Sequence, residues 1–566
     1  MQRQSFLRGS AVLLIMVFIT KSLGLIYKIP LTAMLGGSGM SCYSGAFAVF
    51  TPVFALAAAG VPTAVSRVTA EQLALGRYRN VLRYRYAAML MFSILPVCLC
   101  VMLTLISGIF AENFIHIPEA RYAVTAVALT MIPATIMNVR RGWTEGMGSM
   151  TPTAKSEICE TVVKLMLGLL LPFAVIRYSQ RSYELYHGCF GRYCTDADEL
   201  KRITAPFAAA ASALGVAIAS AAACLYIFRK TAKLSHELES APAACTVSLS
   251  AAVKRLLKYS VPASLTAVVA TLSSTVDLLT IAPSLGRAMQ KDPQMLSYLG
   301  SFGIQFSERT GFAYGSYTGL ALTVFGIMPT FTAMLGKSVL PSLTAACAGG
   351  DSAEVRHSIR SVLLLSSAIV MPSAAVMTAM PSQLLQVLFA GSPAECAVAE
   401  RPLSFLGAGV FFMGVSLPCL TALQACDRQL SAVAITLAGA GVKLLLNMIL
   451  IPMPQYGVSG AAIATSVSQG VIFAASLAVL IRGTGANNDC LSVLPLPLLP
   501  TALCTLTIIT VKAGLQECFK GLGERMTTVF SLAFGSIIYA AFIVILCIMP
   551  KNEFFDILSK KNAKNS

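Results

Sequence analysis

Long apolar runs separated by short polar stretches dominate the chain. The runs are close to the roughly 20 residues that a helix needs to cross a bilayer. Charges and turn residues bound them, and the prolines inside several runs are tolerated in membrane helices. The pattern predicts an all-α polytopic membrane protein with about fourteen spans, near residues 6–27, 41–64, 86–110, 121–139, 158–177, 204–228, 259–282, 315–336, 359–380, 403–424, 431–451, 457–481, 495–513 and 527–549.

A repeat relates the first six spans to the next six. The segments VVKLMLGLLLP and GVKLLLNMILIP place Lys164 and Lys443 at equivalent positions, 279 residues apart. Because each half has six spans, both halves start on the same side of the membrane, and such parallel halves hold a cavity between them. We therefore expect three parts: an N-lobe at 1–230, a C-lobe at 231–482, and two extra spans with a basic tail at 483–566.

Composition supports the membrane assignment and sets an orientation. The 566 residues are 56% hydrophobic and 12% charged, with a mean hydropathy of +0.74, which excludes a soluble domain. The net charge of +17 fits the anionic inner face of a membrane better than nucleic acid. Of the 42 lysines and arginines, twenty-five fall on the side of the termini and fourteen on the other, so the positive-inside rule predicts cytoplasmic termini.

The first span carries lysines where hydrocarbon would be expected. Lys21 lies about two thirds of the way along residues 6–29, and Lys28 lies at the far end on the same helical face. A lysine at that depth costs on the order of 3 kcal/mol or more unless it faces water or a partner. Snorkelling to the interface accounts for Lys28 better than for Lys21. Lys21 therefore indicates a polar, cationic cavity inside the helical bundle.

Other spans also contain ionisable residues, which mark functional sites in membranes by default. Lys164 shares a helical face with Glu157 and Glu160, and an ion pair within that trio is an equally good interpretation. Lys443 has no acid near it in sequence and needs water or a partner on another span. Asp277 is the one acid deep in a span; it is a candidate for a coupling cation or proton, or a salt-bridge partner of a span lysine.

Signals for an enzyme are absent. The four histidines lie in loops without metal-ligand spacing, and the chain contains no Walker loop. Most of the 16 cysteines lie singly in apolar spans; only Cys189 and Cys194, close together in a polar loop, could form a bridge or bind a metal. We expect a protein without catalytic residues, metal or cofactor, and without a nucleic-acid partner.

Three stretches carry a family resemblance: KSLGLIYKIPLTAMLGGSGMSCY, GVPTAVSRVTAEQLALG and RRGWTEGMGSMTPTAKSEICE. Together with the later KLLLNMILIP, they resemble the stage V sporulation protein B group of polysaccharide exporters. That group belongs to the multidrug/oligosaccharidyl-lipid/polysaccharide (MOP) superfamily, which also contains the MurJ-type lipid II flippases. Two departures leave a sugar lipid other than lipid II as an alternative: Ser41 stands where the group has glycine, and the flippases' acidic residue near the start of the second span is not evident.

The resemblance implies a MATE-like, two-lobed transporter of a bacterial plasma membrane. It would flip an undecaprenyl-diphosphate-linked sugar to the outer leaflet, by alternating access, for envelope or spore-cortex glycan. Lys21 and Lys28 match the first-span positions that meet the pyrophosphate. Lys164 and Lys443 would be supporting cations, and Asp277 and Glu160 coupling or gating acids. The partners would be the lipid-linked oligosaccharide, membrane lipids and a coupling cation or proton.

Two other functions compete with this interpretation. A cation-coupled drug exporter of the same superfamily would favour an acidic or aromatic cavity, whereas the charges within the spans here are mostly basic. A membrane glycosyltransferase or polymerase would be expected to show paired acids or a histidine at a membrane boundary.

Overall fold

The computed structural model describes residues 6–115, 118–239, 247–349, 352–426, 428–484, 492–518 and 523–548. The side chains of some helical residues, including Lys21, lie outside the described part. Contacts within the chain divide it into two compact units, Met1–Gly319 and Leu320–Ser566.

The N-terminal unit consists mainly of long helices, because the backbone N–H and C=O groups of an apolar run inside a membrane must form hydrogen bonds within the run. Its helices are α1 (Phe6–Phe54), α2 (Val61–Ala74), α3 (Tyr78–Phe110), α4 (Arg121–Ala128), α5 (Met131–Gly146), α6 (Thr151–Tyr186), α7 (Ala197–Glu239), α8 (Leu249–Lys291) and α9 (Arg309–Ser316).

The first helix supplies one membrane span and the start of a second, which continues into α2. Gly36 interrupts α1 with φ 64° and ψ −177°, a conformation that glycine adopts at little cost. The apolar stretch Ser22–Leu73 has 52 residues, and at 1.5 Å per residue it is more than twice the length that crosses a bilayer. The described residues contain 13 helical stretches long and apolar enough to span. Counting Ser22–Leu73 as two crossings gives fourteen, in agreement with the sequence.

Glycines set how closely α6 and α7 approach. A Cβ atom added to Gly215 on α7 would lie 2.8 Å from the backbone N and Cα of Gly168 on α6. Lipid is as apolar as leucine, so small residues and close packing drive helix association in membranes. The pair Gly168 and Gly215 therefore fixes the crossing at which the candidate site is built.

A small hairpin follows α6. Strands β1 (Gly188–Cys189) and β2 (Arg192–Tyr193) pair antiparallel, and Cys189 and Cys194 are buried beside Leu200 of α7. Both cysteines are free thiols, and burial raises the pKa of the Cys194 thiol. The hydropathy pattern does not predict this hairpin, because strands of two residues are too short to show an alternating pattern.

The C-terminal unit is also helical, and helix α13 packs against α10, α11 and α15. Gly407 and Gly414 of α13 allow the close approach of α11, at Thr378 and Val370 respectively. The helices of the unit are α10 (Leu322–Gly349), α11 (Ser352–Ala379), α12 (Pro381–Leu388), α13 (Pro393–Ala425), α14 (Gln429–Leu450), α15 (Val458–Thr484), α16 (Leu498–Cys518) and α17 (Glu524–Ile548).

The helices confirm the predicted fold class and extend beyond the predicted spans. Helix α6 begins seven residues before, and ends nine residues after, the span predicted at 158–177. Hydropathy detects only the apolar part of a helix, whereas the backbone hydrogen bonds continue into its polar ends. The unit boundary, at Gly319, groups α8 and α9 with the first six spans. The predicted division at residue 230 stays a prediction.

We expect Gly215→Ala to destabilise the protein, because its methyl group would meet the α6 backbone, which has no flexible side chain to move aside. Overpacking of this kind costs about 1–3 kcal/mol. Gly108→Ala on α3 is the matched control, since nothing lies within 4 Å of an added Cβ there. Thermal melting of the detergent-purified variants measures the difference. Equal melting temperatures for the two variants would contradict the tight crossing.

Candidate functional site

Tyr27 connects three helices of the N-terminal unit. Its hydroxyl lies 2.7 Å from the Ser212 hydroxyl of α7 and 3.2 Å from the Tyr43 hydroxyl. Ser212 in turn donates to the backbone carbonyl of Gly168 on α6, at 3.0 Å. Buried hydroxyl groups require such partners. The network therefore holds both parts of α1 against α6 and α7.

Two of the lysines identified in the sequence lie beside this network. The Lys164 ammonium on α6 lies 5.1 Å from the centre of the Tyr27 ring, within the range of a cation–π interaction. Lys28, the next residue after Tyr27, is close enough to Lys164 for their charges to interact. Both lysines are half-buried. Two positively charged residues thus lie on neighbouring helices in a region built from apolar spans.

The local sequence explains how these groups meet. Lys164 and Gly168 are one turn apart on α6, so they share a face. A Cβ atom at Gly168 would lie 2.7 Å from the Tyr27 ring, so glycine makes room for the tyrosine there. The Tyr27 ring then lies beside Lys164, and Lys28 directly follows Tyr27 on α1. We name Lys28, Lys164, Tyr27, Tyr43 and Ser212 the lysine–tyrosine site.

Lys21 and Lys443 are the other two candidate cations. Lys21 is in α1, but its side chain lies outside the described residues. Lys443 is in α14 of the C-terminal unit, where only 2% of its surface is exposed. Asn447, one turn later on the same face, is fully buried. Lys443 is therefore part of a polar line inside its own unit.

Asp277 is 1% exposed on α8. It lies near Tyr314 of α9, close enough for the two groups to interact electrostatically. The neighbouring Thr275 hydroxyl donates to the Ala48 carbonyl of α1 at 3.2 Å, which fixes this part of α8 against α1. Asp277 thus lies at a contact of three helices in the N-terminal unit.

Glu160 joins α5, α6 and α7. One carboxylate oxygen accepts from Arg141 Nη2 at 3.0 Å, and the other accepts from Ser220 at 2.7 Å. Arg141 also donates from Nε to Ser156 at 2.8 Å. A carboxylate with these partners is well suited to hold the three helices in one arrangement.

Sequence reasoning missed the tyrosines and the serine of the lysine–tyrosine site. Tyr27 offered a weak signal, as a polar aromatic next to a span lysine. Ser212 offered none, because one serine among the alanines of α7 matches the small residues typical of membrane helices.

Comparisons with known proteins match both parts of the chain. The family "Polysaccharide biosynthesis protein" matches residues 6–179, and the MatE family matches residues 316–449. Stage V sporulation protein B of Bacillus subtilis (strain 168) is 22% identical over 568 residues, covering 98% of this chain and 98% of the relative.

Solved structures share the fold. A structure of the lipid II flippase MurJ in an inward closed conformation aligns with a TM-score of 0.63 at 12% identity, covering 94% of this chain and 98% of the other. An inward-facing multidrug resistance MATE family transporter aligns with a TM-score of 0.57 at 14% identity, covering 86% and 98%. The sequence matches and the common fold confirm the resemblance: the chain is a multi-pass membrane protein that is similar along its length to stage V sporulation protein B and shares its fold with MurJ and MATE transporters.

Proposed function

We propose that this protein is a flippase for a polyprenyl-diphosphate-linked sugar in a bacterial plasma membrane. It carries the sugar head from the cytoplasmic to the outer leaflet, with both chain termini in the cytoplasm. The observation that carries the proposal is the position of the Lys164 ammonium, 5.1 Å from the centre of the Tyr27 ring, with Lys28 the next residue along α1, among apolar spans. The names and folds of the similar proteins support the same class of substrate.

The physical argument concerns the diphosphate. An anion of this kind cannot enter hydrocarbon bare, because an unpaired charge there costs several kcal/mol or more. Two ammonium groups that are close enough to interact repel each other, and a bound diphosphate would offset that repulsion because it attracts both. Lysines act as point charges rather than bidentate forks, which suits binding that must be reversed.

The remaining candidate residues have separate roles in this proposal. Lys21 makes the main phosphate contact within the first span. Lys443 supplies positive charge from the C-terminal unit, and Asp277 is the coupling or gating acid. Glu160 acts through its contacts to Arg141 and Ser220, as the acid that ties α6 to its neighbours during gating.

The membrane potential gives the direction. An inside-negative potential favours outward movement of negative charge by about 2.3 kcal/mol per charge per 100 mV. If the lysines stay in place while the diphosphate moves, this energy assists export.

We expect Lys28→Ala and Lys164→Ala to lower flipping at least tenfold while both variants still fold. Each removes one of the positive charges that, in the proposal, neutralise the diphosphate. The measurement is the outer-leaflet exposure of a labelled undecaprenyl-diphosphate sugar in proteoliposomes. Lys155→Ala is the control, since Lys155 is an exposed lysine of the same helix α6. Normal flipping by both site variants would reject the lysine–tyrosine site as the substrate contact.

We expect Asp277→Asn to abolish the dependence of flipping on an imposed ion gradient, since asparagine keeps the size of the side chain but has no carboxylate to take up a proton or to balance the charge of a cation. Initial rates are compared with and without proton and sodium gradients in the same vesicles. Asp198→Asn, an exposed acid at the start of α7, controls for loss of charge alone. An unchanged gradient response in Asp277→Asn would assign Asp277 a structural role.

A further inference from the structure

A cavity of about 310 Å³ lies at one end of the N-terminal unit. Four connections of the chain meet there: the turn after Gly36, the segment before α4, the hairpin with the start of α7, and the segment before α9. The spans alternate in direction, so these four connections share the side of the membrane opposite the N-terminus. In the proposed orientation the cavity opens at the outer leaflet.

Two ion pairs line this cavity. Arg192 of β2 donates to Glu119 at 2.6 Å, and Arg202 Nε of α7 lies 3.1 Å from Glu308 Oε1. The four charges cancel, so the cavity has no excess of positive charge with which to hold a bare anion. It differs in this respect from the lysine–tyrosine site, where two cations lie together.

The ion pairs leave hydrogen-bonding capacity unused. A guanidinium has five N–H donors and a carboxylate about four acceptor sites, and each of these pairs uses only a few of them. All four side chains remain partly accessible to solvent. Solvent-exposed ion pairs contribute only about 0–1 kcal/mol to stability, so folding alone gives little reason for two of them at one cavity.

Such a lining suits a sugar. A sugar hydroxyl accepts from a guanidinium and donates to a carboxylate, so alternating acids and bases match a ring of hydroxyl groups. The hydroxyls of Ser38 and Thr310 add further partners, while Pro118 and Pro206 offer apolar surface to the C–H faces of a ring. The volume lies at the lower end of the roughly 300–1,000 Å³ typical of ligand pockets, which is appropriate for one or two sugar rings.

The segment before α9 lies close to the start of α7. Gly303, with φ +77°, approaches Asp198 so closely that an added Cβ would lie 3.3 Å from its carboxylate. Gly300 of the same segment would place a Cβ 3.1 Å from the Arg309 guanidinium. Arg202 of α7 also reaches this segment, since its Nη1 donates to Gln305 Oε1 at 2.5 Å, so the segment before α9 is held against α7.

We propose that this cavity binds the uncharged, polyhydroxylated sugar head of the transported lipid at the outer leaflet. The inference rests on the proposed function for the identity of the ligand, and on the cavity alone for its chemistry. The diphosphate is held by lysines within the spans, and the sugar by paired charges at the end of the unit.

The test uses the full chain in lipid nanodiscs and N,N′-diacetylchitobiose, a neutral amino-sugar disaccharide, as the probe. Saturation-transfer difference NMR measures its binding. We expect saturable binding to the wild type that excess inorganic pyrophosphate does not displace. Glu119→Gln, which breaks one ion pair, and Ser307→Trp, which fills the cavity from an exposed position, should each raise the Kd at least tenfold. Lys201→Gln, next to Arg202 but paired with Asp198, should leave it unchanged.

Absence of saturable binding to the wild type, displacement by pyrophosphate, or an unchanged Kd in folded Ser307→Trp would each overturn the inference. Thermal melting of every variant identifies any that fails to fold, and the wild-type measurements decide the question without them. Failure of the proposed function is separate: it is measured by flipping in Lys28→Ala and Lys164→Ala. Chitobiose binding that both lysine variants retain, with flipping also normal, would leave a sugar site on a protein that does not use the lysine–tyrosine site.

Discussion

A charged group inside a membrane requires water or an opposite charge beside it, because hydrocarbon does not solvate ions. This constraint is the basis of the role proposed for the lysine–tyrosine site. Lys28 and Lys164 are close enough for their charges to interact, in a unit built mainly from apolar spans. A fold that only needed stable spans would have no use for that pair.

The lipid environment also explains the helix packing that supports the site. Helices in lipid gain little from burying apolar surface against each other, so close contact and hydrogen bonds must hold them. Gly168 serves both purposes: it lets α7 and the Tyr27 ring approach, and its carbonyl accepts from Ser212. Tyr27 then places its ring beside Lys164 and its hydroxyl between α7 and Tyr43. The position of one ammonium thus depends on a glycine one turn away.

Sequence predicted the spans well because the bilayer imposes a length and a composition on each of them. It also identified Lys28 and Lys164, since a lysine in an apolar run stands out. It did not predict that the two lysines lie on neighbouring helices, because they are more than a hundred residues apart in the chain and the apolar faces of α1 and α6 show no partner preference. The sequence likewise did not predict the cavity at the hairpin end. Its lining residues lie in four separate connections, and charged residues are common in loops.

The two polar sites of the N-terminal unit differ in charge in a way that separates the tasks of a lipid-sugar transporter. A diphosphate is small and carries concentrated negative charge, so it requires excess positive charge where water is scarce. A sugar carries many weak donors and acceptors, and a site with excess charge of either sign would leave some of them unmatched. In the function proposed here, Lys28 and Lys164 provide the first environment, and the pairs Arg192–Glu119 and Arg202–Glu308 provide the second. If one molecule bears both groups, a strong charge within the spans and a neutral, hydroxyl-matching cavity at their end are the two environments that it needs during a single passage.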